Sequence, residues 1–118
     1  MGRKKVAALA LPFQGRWRIA EMDLWDQDAI DLVEPGFIAF SGEDGEMRFI
    51  AVHAWLDVRY GARDGSAVAE FSWEGVDEGD QRSGRGWVML GTAGRLVGHI
   101  FFHKGDESGF VIFVCEPE

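Results

Sequence analysis

The 118-residue sequence predicts an all-β fold: a small antiparallel meander barrel of seven or eight strands with one short helical turn. Three observations predict it. Turn signals recur along the chain, as "EPG" at 34–36, "SGEDGE" at 41–46, "GARDG" at 61–65, "EGD" at 78–80, "TAG" at 92–94 and "KGDESG" at 104–109. The runs between them are rich in Val, Ile, Phe and Trp, which fit a pleated, half-buried surface. Aromatics make up 13% of the chain and glycines number 16, a pairing that suits short strands and tight turns, not disorder.

The spacing places strands at 15–25, 36–41, 46–60, 67–75, 85–91, 95–103 and 109–116. The third is long for one strand, so it bends or divides near His53 to Trp55. In "WRIAEMDLW", Trp17 and Ile19 share one phase and Met22 and Leu24 the other. That switch predicts a bulge near Ala20. "DQDAIDLV" at 26–33 is the one helical-looking stretch, and an Asp at its start is a good cap. "FIAVHAWL" and "FVIFVC" read as apolar on both sides, which suits a barrel covered outside or a sheet buried in a homodimer. The length fits one domain, read as a tail over 1–12 and a barrel over 13–118.

Gly15-Arg16-Trp17 at the start of the first strand resembles the opening G-x-W of lipocalins and other calycin-type barrels. The resemblance implies a Trp that closes the barrel floor, a basic residue from the last strand over it, and a helical turn after the first strand. The run 109–116 carries no Arg or Lys; Arg95, one strand earlier, is the nearest substitute. The segments "GRWRIAEMDLWDQDAIDL", "EFSWEGVDEGD", "SGRGW" and "GHIFFHKGDESGF" also resemble a group of small bacterial proteins described only as hypothetical. That second resemblance implies no activity.

The formal charge of −8 speaks against nucleic-acid binding, which needs Lys and Arg to displace counterions. The single cysteine, Cys115, forms no internal disulfide and fits a reducing, cytoplasmic setting. No apolar run approaches the roughly 20 residues that span a bilayer, so no membrane partner is expected. No metal or other cofactor is expected. "DQDAID" fails as a calcium loop, because Ile30 stands at its fifth position where a ligand is required. His99 and His103 share a strand phase but sit roughly 13 Å apart on a straight strand. No nucleophile motif is present, so no catalytic residue is assigned and the reading is non-enzymatic.

The leading expectation is a binding module that holds a small apolar or mixed ligand in the barrel. Trp55, Trp73, Trp87, Glu70, His53 and His99 are the candidate lining, since aromatic walls with a few polar groups are what such sites use. Whether Glu70, Ser72 and Glu74 face inward or outward is open at this point. The alternative is a protein partner, met by an apolar dimer face and an acidic end. In a seven-strand meander the loops 42–45, 76–84 and 104–108 share one end. They bring together Glu43, Asp44, Asp77, Glu78, Asp80, Asp106 and Glu107.

Overall fold

A computed structural model describes residues 8–23, 25–103 and 110–118. Eight antiparallel strands close into an up-and-down barrel: β1 (Gly15–Met22), β2 (Phe37–Ser41), β3 (Asp44–Phe49), β4 (Val52–Arg63), β5 (Ser66–Asp77), β6 (Asp80–Leu90), β7 (Leu96–Phe102) and β8 (Phe110–Pro117). Each strand pairs with the next, and β8 returns to β1. Closure leaves no sheet edge to recruit another chain. Between β1 and β2 lies one helical turn, α1 (Gln27–Ile30), with Asp26 as its N-cap accepting from the Ala29 amide at 2.9 Å. The expected bulge is at Ala20: the β1–β8 register shifts between Ile19 and Glu21.

The run 46–60, expected to bend or divide near His53 to Trp55, divides a little earlier into two strands. β3 and β4 join through Ile50-Ala51, with Phe49 paired to Val52. Ile50 takes a left-handed φ of 55°, which is costly for a β-branched residue. Its amide donates to the Ile30 carbonyl at 2.8 Å, which ties the hairpin to α1. Two further hairpin turns follow the usual chemistry, with both residues of Asp64-Gly65 and of Glu78-Gly79 at positive φ. This division also removes the doubly apolar face expected of "FIAVHAWL". Phe49, Val52, Ala54 and Leu56 are buried, His53 and Trp55 alternate with them, and Ile50 and Ala51 form the turn.

The barrel interior is an apolar core. Trp17, Ile19, Ile38, Met47, Phe49, Leu56, Val58, Phe71, Trp73, Val88, Leu96, Ile100, Phe113 and Cys115 are all buried, and no buried polar or charged residue accompanies them among the described residues. Burial pushes the Cys115 thiol up, so it stays protonated and packs as a small hydrophobe. At the floor, a 3₁₀ turn (Leu11–Phe13) caps the barrel. Phe13 is fully buried against Phe40 and Tyr60, and its carbonyl accepts from Trp17 Nε1 at 2.9 Å. Arg95 is instead ion-paired to Glu116 at 2.8 Å. The Tyr60 hydroxyl accepts from Gln14 and donates to the Gly42 carbonyl, and burial raises its pKa.

At the opposite end Ile30 of α1 is buried against the core, and Trp25 stacks near Phe49. Asp31 fastens this end. Its carboxylate accepts from the Gly36 amide at 2.7 Å, from Gln27 at 2.9 Å and from Arg18 at 3.1 Å. Desolvation alone would raise its pKa. Those hydrogen bonds and the Arg18 charge outweigh it and hold the carboxyl below its ordinary value.

Candidate functional site

With the core filled, the polar and aromatic groups that could meet a ligand lie on the outer wall. β4, β5 and β6 are the longest strands, at 12, 12 and 11 residues, and with β7 they form a broad outer face. Register sorts its side chains into rows. One row runs Trp55, Glu74, Ser83; the next runs Asp57, Ser72, Arg85, Phe101; the third runs Arg59, Glu70, Trp87, His99. Glu70, Ser72 and Glu74 therefore point outward, in phase opposition to the buried Phe71 and Trp73.

Two adjoining depressions of about 740 and 570 Å³ share the middle row. Trp55, Glu74, Ser83 and His103 flank the first, and Arg59, Glu70 and Trp87 flank the second. Ser72 is a small side chain between larger neighbours, so the groove floor is strand backbone. Gly84 helps to set that floor. A Cβ on it would stand 1.8 Å from the Phe101 carbonyl oxygen and 2.9 Å from Trp73 Nε1, so only glycine lets β6 and β7 approach this closely.

The groove walls are held in place. Trp55 is 53% exposed, yet one side of its ring is taken by His53, with centroids 4.4 Å apart. His53 Nδ1 lies 2.7 Å from Arg48 and its Nε2 contacts Glu46. Arginine only donates, so Nδ1 is the acceptor and the proton sits on Nε2, facing Glu46. Arg48 is itself paired with Glu34 at 3.1 Å. His53 is thus a support for Trp55. At the other wall, Trp87 lies beside His99 at 4.7 Å, and the Arg63 guanidinium sits 5.6 Å from its ring centre. Arg63 also pairs with Glu70 at 2.8 Å.

Charges along the groove are unevenly satisfied. Arg59 pairs with Asp57 at 2.7 Å and with Glu43 at 3.3 Å. The side chains of Arg85 and Glu74 have neither an ion pair nor a hydrogen bond among the described residues, although both line the first depression. No group of three or more His, Cys, Asp or Glu among the described residues is placed to hold a metal ion.

Of the six expected lining residues, Trp55, Trp87, Glu70, His53 and His99 come to this one outer face. Trp73 points inward, 2% exposed and edge-on to Phe102, and lines the first depression only from beneath, with its Nε1 lacking a hydrogen-bond partner among the described residues. The expected acidic end is divided. With eight strands, the turn carrying Glu43 and Asp44 lies at the floor, while Asp77, Glu78 and Asp80 lie at the α1 end. The extra hairpin at Ile50-Ala51 reverses the parity that had joined them. Asp106 and Glu107 lie outside the described residues.

Sequence reading assigned neither Phe101 nor Arg85 to a site. The usable signal was "SGRGW", in which Gly84 and Gly86 alternate with Arg85 and Trp87. Here the glycines face the core and the large residues face out, the reverse of a usual amphipathic strand. Among the described residues no helix is long and apolar enough to cross a membrane. No family model, no curated protein and no solved structure matches the chain.

Proposed function

We propose that the protein is a non-enzymatic binding module whose ligand lies on the outer face of β4–β7 and not inside the barrel. The observation that carries this reading is the middle row of the groove. It places Arg85, a cation without a partner among the described residues, between the Trp55 and Trp87 walls. Convergent polar groups between apolar walls are the usual make-up of a small-molecule site. The filled interior supports the same reading, because a ligand there would have to displace well-packed side chains. His53 and Arg63 lend it further support, since each fixes a wall residue before any ligand arrives, which lowers the ordering cost of binding.

Native mass spectrometry of protein isolated gently from its host tests this. A small mass should accompany the wild-type chain and be missing from a Trp55→Ala, Arg85→Gln double variant of equal stability. A mass retained by the double variant, or a wild-type chain that carries none, overturns the reading.

A further inference from the structure

Resting on that reading, we propose that the groove takes a small zwitterion bearing a flat apolar ring, of the chemical class of a free aromatic amino acid. Its carboxylate meets Arg85, its ammonium meets Glu74, and its ring lies on the open side of Trp55. The argument begins from charge. Asp57, Arg59 and Glu70 are already engaged in ion pairs. Glu74 and Arg85 are left, opposite in sign and both facing the first depression. No ion pair joins them. Glu74 registers with Ser83 and Arg85 with Ser72, so the two are diagonal neighbours across β5 and β6.

Diagonal positions on one sheet face are about 7–8 Å apart. An amine and a carboxylate on one carbon can each make a charge-assisted hydrogen bond, the amine donating to Glu74 and the carboxylate accepting from Arg85, in the depression that both side chains line. A peptide separates those charges along its chain and does not fit it. A simple anion fits less well, because it would gain Arg85 but face Glu74 and Asp57, in a protein of net charge −8. A simple cation would gain Glu74 and face Arg85. Ring placement follows from register: Trp55 stands directly opposite Glu74, and His53 covers only one side of its indole. An ammonium at Glu74 therefore also lies near the π face of Trp55. Ser72 and Ser83 offer hydroxyls beside the carboxylate.

Four probes with the same ring separate the contributions: L-phenylalanine, N-acetyl-L-phenylalanine without the ammonium, L-phenylalaninamide without the carboxylate, and N-acetyl-L-phenylalaninamide with neither. Amide chemical-shift titration of the whole protein should show L-phenylalanine moving Trp55, Glu74, Ser83 and Arg85 saturably. Loss of either charge should weaken binding about tenfold. Arg85→Gln should bring L-phenylalanine down to the level of its amide, and Glu74→Gln down to the level of its N-acetyl form. Equal binding of all four at the groove overturns the zwitterion assignment and leaves the outer-face site standing. No groove shifts with any of the four overturns the aromatic amino-acid assignment, while the outer-face site itself stands or falls on the native mass measurement.

Discussion

Replacing Asp31 with Asn removes the charge from a carboxylate that ties β1, α1 and the approach to β2 together. In the wild type one carboxylate oxygen takes the Gly36 amide at 2.7 Å, and the other takes Gln27 at 2.9 Å and Arg18 at 3.1 Å. Asparagine retains one carbonyl oxygen, enough for Gly36, and sets its own amide N–H₂ against two donors. A hydrogen bond to a charged group is worth about 1.5–3 kcal/mol. The Arg18 share is smaller, below about 1 kcal/mol, because that side chain is 42% exposed and screened. The expected loss is about 2–3 kcal/mol, or a fall in melting temperature of roughly 10 °C for a domain of this size. The folded-state pKa of Asp31 is lowered, so its contribution is complete above the unfolded aspartate value of about 3.9 and is lost as pH falls through the folded value. Urea unfolding followed by tryptophan fluorescence, run for both proteins from neutral into acid, reads the difference. A gap under about 0.5 kcal/mol at neutral pH, or one that persists unchanged deep into acid, refutes the reasoning.

The two buried tryptophans should respond differently to replacement by Phe. Trp17→Phe abandons a buried carbonyl at Phe13, whereas Trp73→Phe removes a donor that has no partner. Urea midpoints should show Trp17→Phe to be the costlier change by about 2 kcal/mol, and equal losses would count against the assigned hydrogen bonding. Gly84→Ala drives a methyl group into the Phe101 carbonyl and should cost about 3 kcal/mol. A Gly84→Ala protein as stable as wild type in the same assay would mean that β6 and β7 are not packed this closely.

The barrel was readable from the sequence because its signals are local. Turn residues, β-branched and aromatic runs, the Asp26 cap and the phase switch at Ala20 each act over a few positions. The division of 46–60 was expected near His53 to Trp55 and lies at Ile50-Ala51 instead, where no turn-forming residue marks it. The left-handed backbone at Ile50 is held from outside, by the Ile30 carbonyl. That hairpin reverses the loop parity of a seven-strand meander and divides the supposed acidic end. The site was half legible. "EFSWE" showed that Glu70, Ser72 and Glu74 share a face, but alternation does not say which face meets the core. Inward glycines on β6 made the true answer harder to see, since Arg85 and Trp87 then look like the larger residues of a packed side.

The most direct test of the central claim is to map where small ligands touch the barrel, by amide chemical shifts of the whole protein with a varied fragment set. The account predicts shifts centred on Asp57, Ser72, Arg85 and Phe101, fading toward Trp55 and Trp87. Shifts centred on the interior residues Leu96, Ile100 and Phe113, with the outer rows silent, would contradict it and return the ligand to the inside of the barrel.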